Sequence, residues 1–313
     1  MLRVLLKKLT REVIMGLCFF LPADKKRRLE RWLRGREEFR KLQDADLVVV
    51  SFGKSGRTWL RVMMSRFYQV RYGLPESKLI GFDNFHRANA AIPKMFFTHD
   101  NYLRDYTGNL DNKRDFYGKK VVLLMRNPGD VAVSQFFQWK FRMRKAKKAL
   151  NEYPDHDANV EVADFVLNHP AGLDKVMDFM NGWARELPNL SDVLIVRYED
   201  MRSNPEHELT RLFNFVGSEP KPDEIAEAVR FASIDNMRKM EEKKVFWLSG
   251  SRMTPKDKSN PNSYKVRRAK VGGYRDYFTD EEVIQLNGRM RDDLDAAYGY
   301  RFDDDATPVK MGA

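Results

Sequence analysis

Residues 46–59, DLVVVSFGKSGRTW, run from apolar strand-like sequence into a loop that offers Lys54, Ser55, Gly56, Arg57 and Thr58 in succession. A strand that turns through glycine into a helix points backbone N–H groups, and the positive end of the helix, at one spot, so such a loop can wrap an anion. Lys54 would add a point charge, and the Ser55 and Thr58 hydroxyls could donate to phosphate oxygens. The spacing is not that of a GxxxxGK phosphate loop, because Val48 stands where its first glycine would be. A tight bend alone would also call for glycine here.

A nucleoside triphosphatase or kinase built on this loop would also hold Mg²⁺, usually on an aspartate closing another apolar strand. The apolar runs here close on Arg126 and on Arg197-Tyr198. An arginine in that place implies direct contact with a fixed phosphate through its planar fork of donors. Ser134 follows Arg126 by two helical turns, which puts a cation and a hydroxyl within reach of one dianion. Glu199 and Asp200 remain as alternative metal ligands. Five histidines are available for acid–base work, and one cysteine, Cys18, can form neither an intrachain disulfide nor a cysteine metal cluster.

Elements that could position these residues follow from the apolar pattern. Four short runs rich in Val, Ile, Leu and Phe, at 47–52, 95–99, 121–126 and 193–198, have the length and composition of buried parallel strands. Helical stretches are expected at 58–72, 129–150, 160–167, 172–186 and 205–216, with a mostly helical region beyond 216. A polar segment at 249–263 has the composition of a mobile loop, and Thr279 with Glu282 forms a capping box that opens a helix over 280–297. Strands alternating with helices predict an α/β fold: a P-loop-like doubly wound sheet, parallel at its centre and flanked by helices. The expected organisation is a basic amphipathic arm over 1–40, one domain over 41–305 and a short tail over 306–313.

At this level of detail VVVSFGKSGRTW and VLLMRNPGDVAVSQFF together resemble the two nucleotide-binding motifs of the cytosolic-type sulfotransferases, which use 3′-phosphoadenosine 5′-phosphosulfate (PAPS). The resemblance runs from about residue 46 to 297. It implies that Lys54, Ser55, Gly56, Arg57 and Thr58 cradle the 5′-phosphosulfate and that Trp59 packs on adenine. It implies a 3′-phosphate pair in Arg126 and Ser134, an adenine contact in Tyr198 of VLIVRYEDM, and a further contact in Ser233, four residues before a methionine. Arg267-Arg268-Ala269 matches the family's closing Arg-Lys-Gly element, and GGYRDYFT follows it much as GDWxxxFT does. His99 of FFTHD matches the catalytic histidine of a Lys-Thr-His triplet. The implied cofactor is PAPS, with 3′-phosphoadenosine 5′-phosphate (PAP) as product and no metal.

The chain departs from the family in several places. Phe97 takes the place of the lysine two residues before the catalytic histidine, so one cation near the transferring group is absent; Arg57, where the family has threonine, is a candidate to restore it. Ala269 replaces a glycine, which is tolerable if its φ is negative. Ile234 stands where a phenylalanine often meets adenine. In the expected mechanism His99 takes the acceptor proton while Lys54 meets the charge developing on the leaving phosphate. Ordinary alternatives remain: a satisfied strand-end role for His99, helix core for Trp59, surface ion pairs for Arg126 and Arg267.

Lys and Arg outnumber Asp and Glu by 56 to 45, a formal charge of +11, which favours an anionic partner over none. Residues 1–28 carry an apolar run between two basic clusters, too short to span a bilayer. They could lie in an anionic membrane interface or dock on the protein's own core. The basic stretch 140–148 could meet an anionic glycan or lipid head group, or be a solvated helix face. The acceptor pocket is sought around Phe82, Phe85, His86, Met95 and Phe96, and around Phe136, Phe137 and Trp139, with core packing as the alternative. Together these features predict a hydroxyl acceptor (lipid or glycan in preference to a small phenol), a cytoplasmic protein at or away from a membrane's inner face, and no nucleic-acid partner. The rival readings are a P-loop kinase or NTPase and a basic nucleic-acid-binding protein.

Overall fold

The computed structural model describes residues 2–246 and 253–302, with side chains from residue 9 onward in the first helix. In chain order its main elements are α1 (Leu2–Leu17), α2 (Ala23–Asp44), β1 (Leu47–Val50), α3 (Arg57–Tyr72), β2 (Met95–Thr98), α4 (Leu103–Thr107) and β3 (Lys120–Met125). There follow α5 (Pro128–Phe141), α6 (Lys145–Leu150), α7 (Val162–Leu167), α8 (Leu173–Ala184), β4 (Asp192–Arg197) and α9 (Tyr198–Ser203). The chain continues through α10 (Pro205–Val216), α11 (Pro222–Phe231), α12 (Ile234–Glu242) and α13 (Asp280–Asp293).

The four strands form one parallel sheet in the order β2-β1-β3-β4, with Val49 level with Phe97 on one side and Val122 on the other. Alternation along the strands divides the core in two. Val48, Val50, Val121 and Leu123 pack under α5, α8 and α13, whereas Leu47, Val49, Val122 and Leu124 pack under α3, α10 and α11. A sheet buried on both faces explains why its strands read as continuous apolar runs. This is the doubly wound α/β architecture that the strand and helix pattern predicts.

Each strand ends one or two residues earlier than its apolar run, and β3 and β4 also begin one residue earlier. The consequence is functional: the loop after β1, His99 after β2, Arg126 after β3 and Tyr198 after β4 all leave the same carboxyl edge of the sheet, the edge at which open α/β sheets bind ligands.

The helix expected over 129–150 is broken. Residues Arg142–Arg144 separate α5 from α6, and from this break the Arg142 guanidinium reaches the buried Glu241 at 3.3 Å and the carbonyls of Ser263 and Thr254. Those same contacts tie down the described part of the 249–263 segment; residues 249–252 lie outside the described residues. The capping box of Thr279 and Glu282 is present.

The expected boundary at residue 40 falls inside α2, which lies along α4. Gly35 marks the contact, since a Cβ there would sit 2.2 Å from the Tyr102 carbonyl oxygen. From the same helix Arg31 forms a two-pronged pair with Asp105 and also donates to the carbonyls of Asn101 and Leu150. Helix α1 touches α2 through Arg11 and Glu37 at 3.1 Å and leaves Leu9, Val13 and Leu17 exposed, as are Phe19 and Phe20 just beyond it. Among the described residues no helix is long and apolar enough to cross a membrane. Residues 306–313 lie outside them.

Candidate active site

A cavity of about 330 Å³ opens at the carboxyl edge of the sheet. From the loop after β1 it is lined by Lys54, Gly56, Arg57, Thr58 and Trp59, and from β2 by His99. Arg126 and Ser134 line it from β3 and α5, Tyr198 from the start of α9, and Arg267, Arg268 and Ala269 from the segment before α13. Twelve of the fourteen residues singled out in the sequence therefore meet in one place. Ser55 and Ser233 do not: Ser55 is buried, and Ser233 is exposed at the start of α12, where its carbonyl accepts from Met237 N–H at 2.8 Å and its own N–H donates to the Arg230 carbonyl at 3.3 Å.

The loop keeps its shape through left-handed residues. Lys54 has φ +77° and Gly56 φ +92°, and a Cβ at Gly56 would meet the Tyr198 ring at 2.5 Å, so glycine is required there on both counts. Gly56 caps α3, whose N-terminus opens into the cavity. The Lys54 ammonium has no hydrogen-bond or ion-pair partner among the described residues. Burial above all, then Arg142, Arg126 and Arg267, lowers its pKa to about 7.

His99 lies against the same loop. Its Nδ1 is 2.7 Å from the Ser51 carbonyl oxygen, which can only accept, so Nδ1 carries the proton and Nε2 the lone pair. Nε2 is 2.6 Å from Arg57 Nη2. Burial, and after it the Arg57 charge, holds the imidazole pKa well below its ordinary value. Behind the base Glu38 of α2 is raised to about 7, by burial first and by Asp100 second, while Asp100 pairs with Lys113 at 2.6 Å.

Arg126 knits three segments together. Its Nη1 donates to the Lys54 carbonyl at 3.3 Å, and its Nη2 to the Lys270 carbonyl at 3.0 Å and to Asp130 at 3.2 Å. The guanidinium lies 4.3 Å over the Tyr198 ring, and its buried Nε has no hydrogen-bond partner among the described residues. Asp130 in turn accepts from the N–H groups of Gly272 and Tyr274, both at 2.9 Å. The fully buried Glu241 does the same for Lys265 and Val266. Two buried carboxylates thus hold both ends of the segment 265–274 over the cavity. Arg267 stacks 3.8 Å over Phe137 and bonds Tyr277, whose hydroxyl Arg268 shares at 3.3 Å. The condition set for Ala269 is not met: its φ is +53°, a left-handed conformation that the turn from Arg268 into Lys270 imposes.

Trp59 donates from Nε1 to the Ala232 carbonyl at 2.9 Å and meets Tyr198 edge-on at 5.9 Å, with Ile234 in the same wall. Phe97 stays outside the cavity, its ring packed in the core beneath the Arg61 guanidinium at 4.4 Å. Glu199, weighed as a metal ligand, accepts from Asn127 N–H at 2.8 Å and Tyr300 OH at 3.0 Å, and Asp200 is paired with Arg197. Of the apolar residues proposed for the acceptor pocket only Phe137 lines the cavity; Phe85, Met95, Phe96, Phe136 and Trp139 are core. Asn101, Lys147, Asn151, Tyr153 and Lys175 line it instead. Asp130 had a signal in its i+4 spacing from Arg126 at a helix start. The others come from separate elements and had none.

The fold and this site define a doubly wound α/β protein with a cationic, aromatic-walled cavity beyond its strands, poised around a neutral histidine. A family model described as the sulfotransferase domain matches residues 114–297. Flavonol 3-sulfotransferase of Flaveria bidentis is 23% identical over 85% of this chain and 88% of its own length, and sulfotransferase 2A1 of Homo sapiens is 24% identical over 78% and 82%. Among solved structures, mouse sulfotransferase SULT7A1 complexed with PAP superposes with a TM-score of 0.54 at 20% identity, covering 82% of this chain and 89% of that one. Retinol dehydratase in a complex with retinol and PAP gives 0.55 at 19%, covering 83% and 84%. The chain belongs to the sulfotransferase family, and as an enzyme it is a PAPS-dependent sulfotransferase.

Proposed function

We propose that this chain moves a sulfuryl group from PAPS to an acceptor hydroxyl, with His99 as general base. The observation that carries this reading is the His99 imidazole itself: locked by Ser51 as the Nδ1–H tautomer, it presents a basic Nε2 to the cavity beside the Lys54 loop. The residues fit an anionic nucleotide. Arg126 Nε is a buried donor without a partner among the described residues, and the half-buried Lys54 lines the cavity, an arrangement that a phosphate would satisfy. PAPS supplies the sulfuryl group when bound. Lys54, Gly56, Thr58 and the α3 N-terminus hold its 5′ end, Arg126, Ser134 and residues 267–269 its 3′-phosphate, and Trp59 with Tyr198 its adenine. Ser55 and Ser233 stay outside this cradle. His99 takes the acceptor proton, and Lys54 stabilises the charge left on the departing phosphate.

The test is His99→Ala. Loss of a general base lowers rate about 10²–10⁴-fold, so the variant should bind PAP as the parent does and lose most turnover. Undiminished turnover would reject His99 as the base.

A second reading concerns where the enzyme works, and the exposed row Leu9, Val13, Leu17, Phe19 and Phe20 favours it. Flanked by Arg11, Lys25, Lys26, Arg27 and Arg28, this row suits the interface of an anionic membrane. Together with the exposed Arg144, Lys145 and Lys147 of the basic stretch 140–148, it supports a lipid or glycan hydroxyl as acceptor over a small phenol. Co-sedimentation with phosphatidylglycerol vesicles but not with phosphatidylcholine vesicles is the expected result, and Phe19→Ser with Phe20→Ser should abolish it.

A further inference from the structure

Phosphates are met by the cavity's cations and backbone N–H groups, which leaves its neutral amides without a use. Gln135 and Gln138, three residues apart and so neighbours on the surface of α5, both line the cavity. Gln135 is only 4% exposed, the surface it keeps opens into the cavity, and its side-chain amide has no hydrogen-bond partner among the described residues. A buried amide that bonds to nothing in its own chain is rare unless a ligand completes it. This one lies against the nucleotide loop: a Cβ on Gly53 would come within 3.1 Å of Gln135 Oε1, so glycine at 53 leaves the amide its room.

The base is close by. Gly53 is two residues past Ser51, whose carbonyl fixes the His99 ring at 2.7 Å, and two residues span at most about 7 Å. Asn101 is two residues past His99 itself and lines the same cavity; Arg31 holds its carbonyl at 3.0 Å, while its side-chain amide has no partner among the described residues. Ser134, beside Gln135 in sequence, is turned from it by about 100° around the helix, so the two side chains reach different parts of the cavity. An amide, whichever way it is turned, offers a donor and an acceptor side by side. Its complement is a pair of adjacent groups that themselves accept and donate, as the hydroxyls of a vicinal diol do. Resting on the sulfotransferase reading above, we infer that the acceptor is a polyol, a sugar-like ring that brings neighbouring hydroxyls besides the one that receives the sulfuryl group, and that Gln135 with Asn101 sets this specificity. One hydroxyl meets His99 Nε2 while its neighbours pair with the amides. A phenol or simple alcohol leaves both amides unpaired, and a site built to bond a hydroxyl discriminates strongly against a substrate that lacks it.

The full-length protein, radiolabelled PAPS and an extract of the source cells test this. One half of the extract is oxidised with periodate, which cleaves vicinal diols, and then reduced with borohydride; the other half receives borohydride alone. Radiolabel should enter the unoxidised half and fall roughly tenfold or more in the oxidised one. Partition of the product between organic solvent and water then tells a glycolipid from a free saccharide. For that acceptor Gln135→Met and Asn101→Ala should each lose roughly tenfold or more in kcat/KM, chiefly through KM, with PAP affinity and denaturation midpoint unchanged. Radiolabel that survives periodate, or an unchanged KM in both variants, overturns the inference; so does a loss in Gln135→Met that follows PAP affinity instead. Failure of the parent protein to bind PAP, or no radiolabel in the unoxidised half, instead overturns the transferase reading on which it rests.

Discussion

Arg57 Nη2 lies 2.6 Å from His99 Nε2, so the residue that replaces a family threonine donates directly to the nitrogen expected to act as base. One imidazole lone pair cannot accept from Arg57 and from an acceptor hydroxyl at once. With His99 as the proposed base, the guanidinium must turn away during turnover, and it would then be free to meet the sulfuryl group that PAPS would supply. Arg57 would in that position stand in for the lysine that Phe97 replaces, the Phe97 ring itself lying beneath the Arg61 guanidinium. Arg57→Ala should lower kcat about 10²–10³-fold, the usual effect of removing one transition-state donor. It should also move the acid limb of the pH–rate profile. A depressed pKa keeps His99 in its basic form above a limb well below its ordinary value, and removing the Arg57 charge raises that limb, while burial, the larger cause, continues to hold it down. An unchanged kcat with an unmoved limb would show that Arg57 takes no part.

Lys54 gives nucleotide binding a proton linkage. Without a counter-charge its ammonium titrates at about 7, depressed by burial and by Arg142, Arg126 and Arg267. A phosphate arriving beside it favours the charged form and raises that pKa. Between about 7 and the raised value, binding must take up a proton, so PAP affinity falls as pH rises through this window. Calorimetry at pH 8 in two buffers of different ionisation enthalpy should show uptake by the parent protein and little by Lys54→Met. Equal uptake by both would assign the proton elsewhere.

The strands and the nucleotide loop were legible in the sequence because each is a local pattern: apolar runs at 47–52 and 121–126, a glycine turn, a capping box at Thr279. The break between α5 and α6 was not, because no glycine or proline marks it and the partner that Arg142 meets there, the fully buried Glu241, is 99 residues away in sequence. Ser233 was chosen by its spacing from a methionine, but spacing on a helix start does not say which way a side chain faces. The acceptor end was hidden for a related reason. Asn101, Lys147 and Lys175 come from three separate elements, and aromatic content drew attention to Phe85, Phe96 and Trp139, whose apolar surface is used up in the core.

Asp130 should prove as important to the cradle as the arginine it serves. It is nearly fully buried and holds Arg126, Gly272 and Tyr274 at once. Asp130→Ala leaves a buried guanidinium and two N–H groups short of an acceptor, for which about 3–5 kcal/mol of destabilisation is the usual scale. Urea denaturation should register that loss. PAP affinity should fall as well, since the segment 265–274 loses the acceptor that holds its Gly272 and Tyr274 N–H groups. Parent-like stability and affinity would mean that Arg126 and the segment are held by other contacts.

Ala269 sits at φ +53° in the segment that closes over the 3′-phosphate site, where the family motif has glycine. A left-handed conformation costs an alanine about 1–2 kcal/mol relative to the right-handed one. Glycine removes that strain but gains about 0.4–1 kcal/mol of freedom in the unfolded chain. The difference leaves Ala269→Gly more stable by roughly 0.5–1 kcal/mol. The gain should appear as a raised denaturation midpoint without loss of PAP affinity, because the backbone geometry presented to the phosphate is unchanged. A lowered midpoint would mean that the Ala269 methyl makes contacts worth more than its strain.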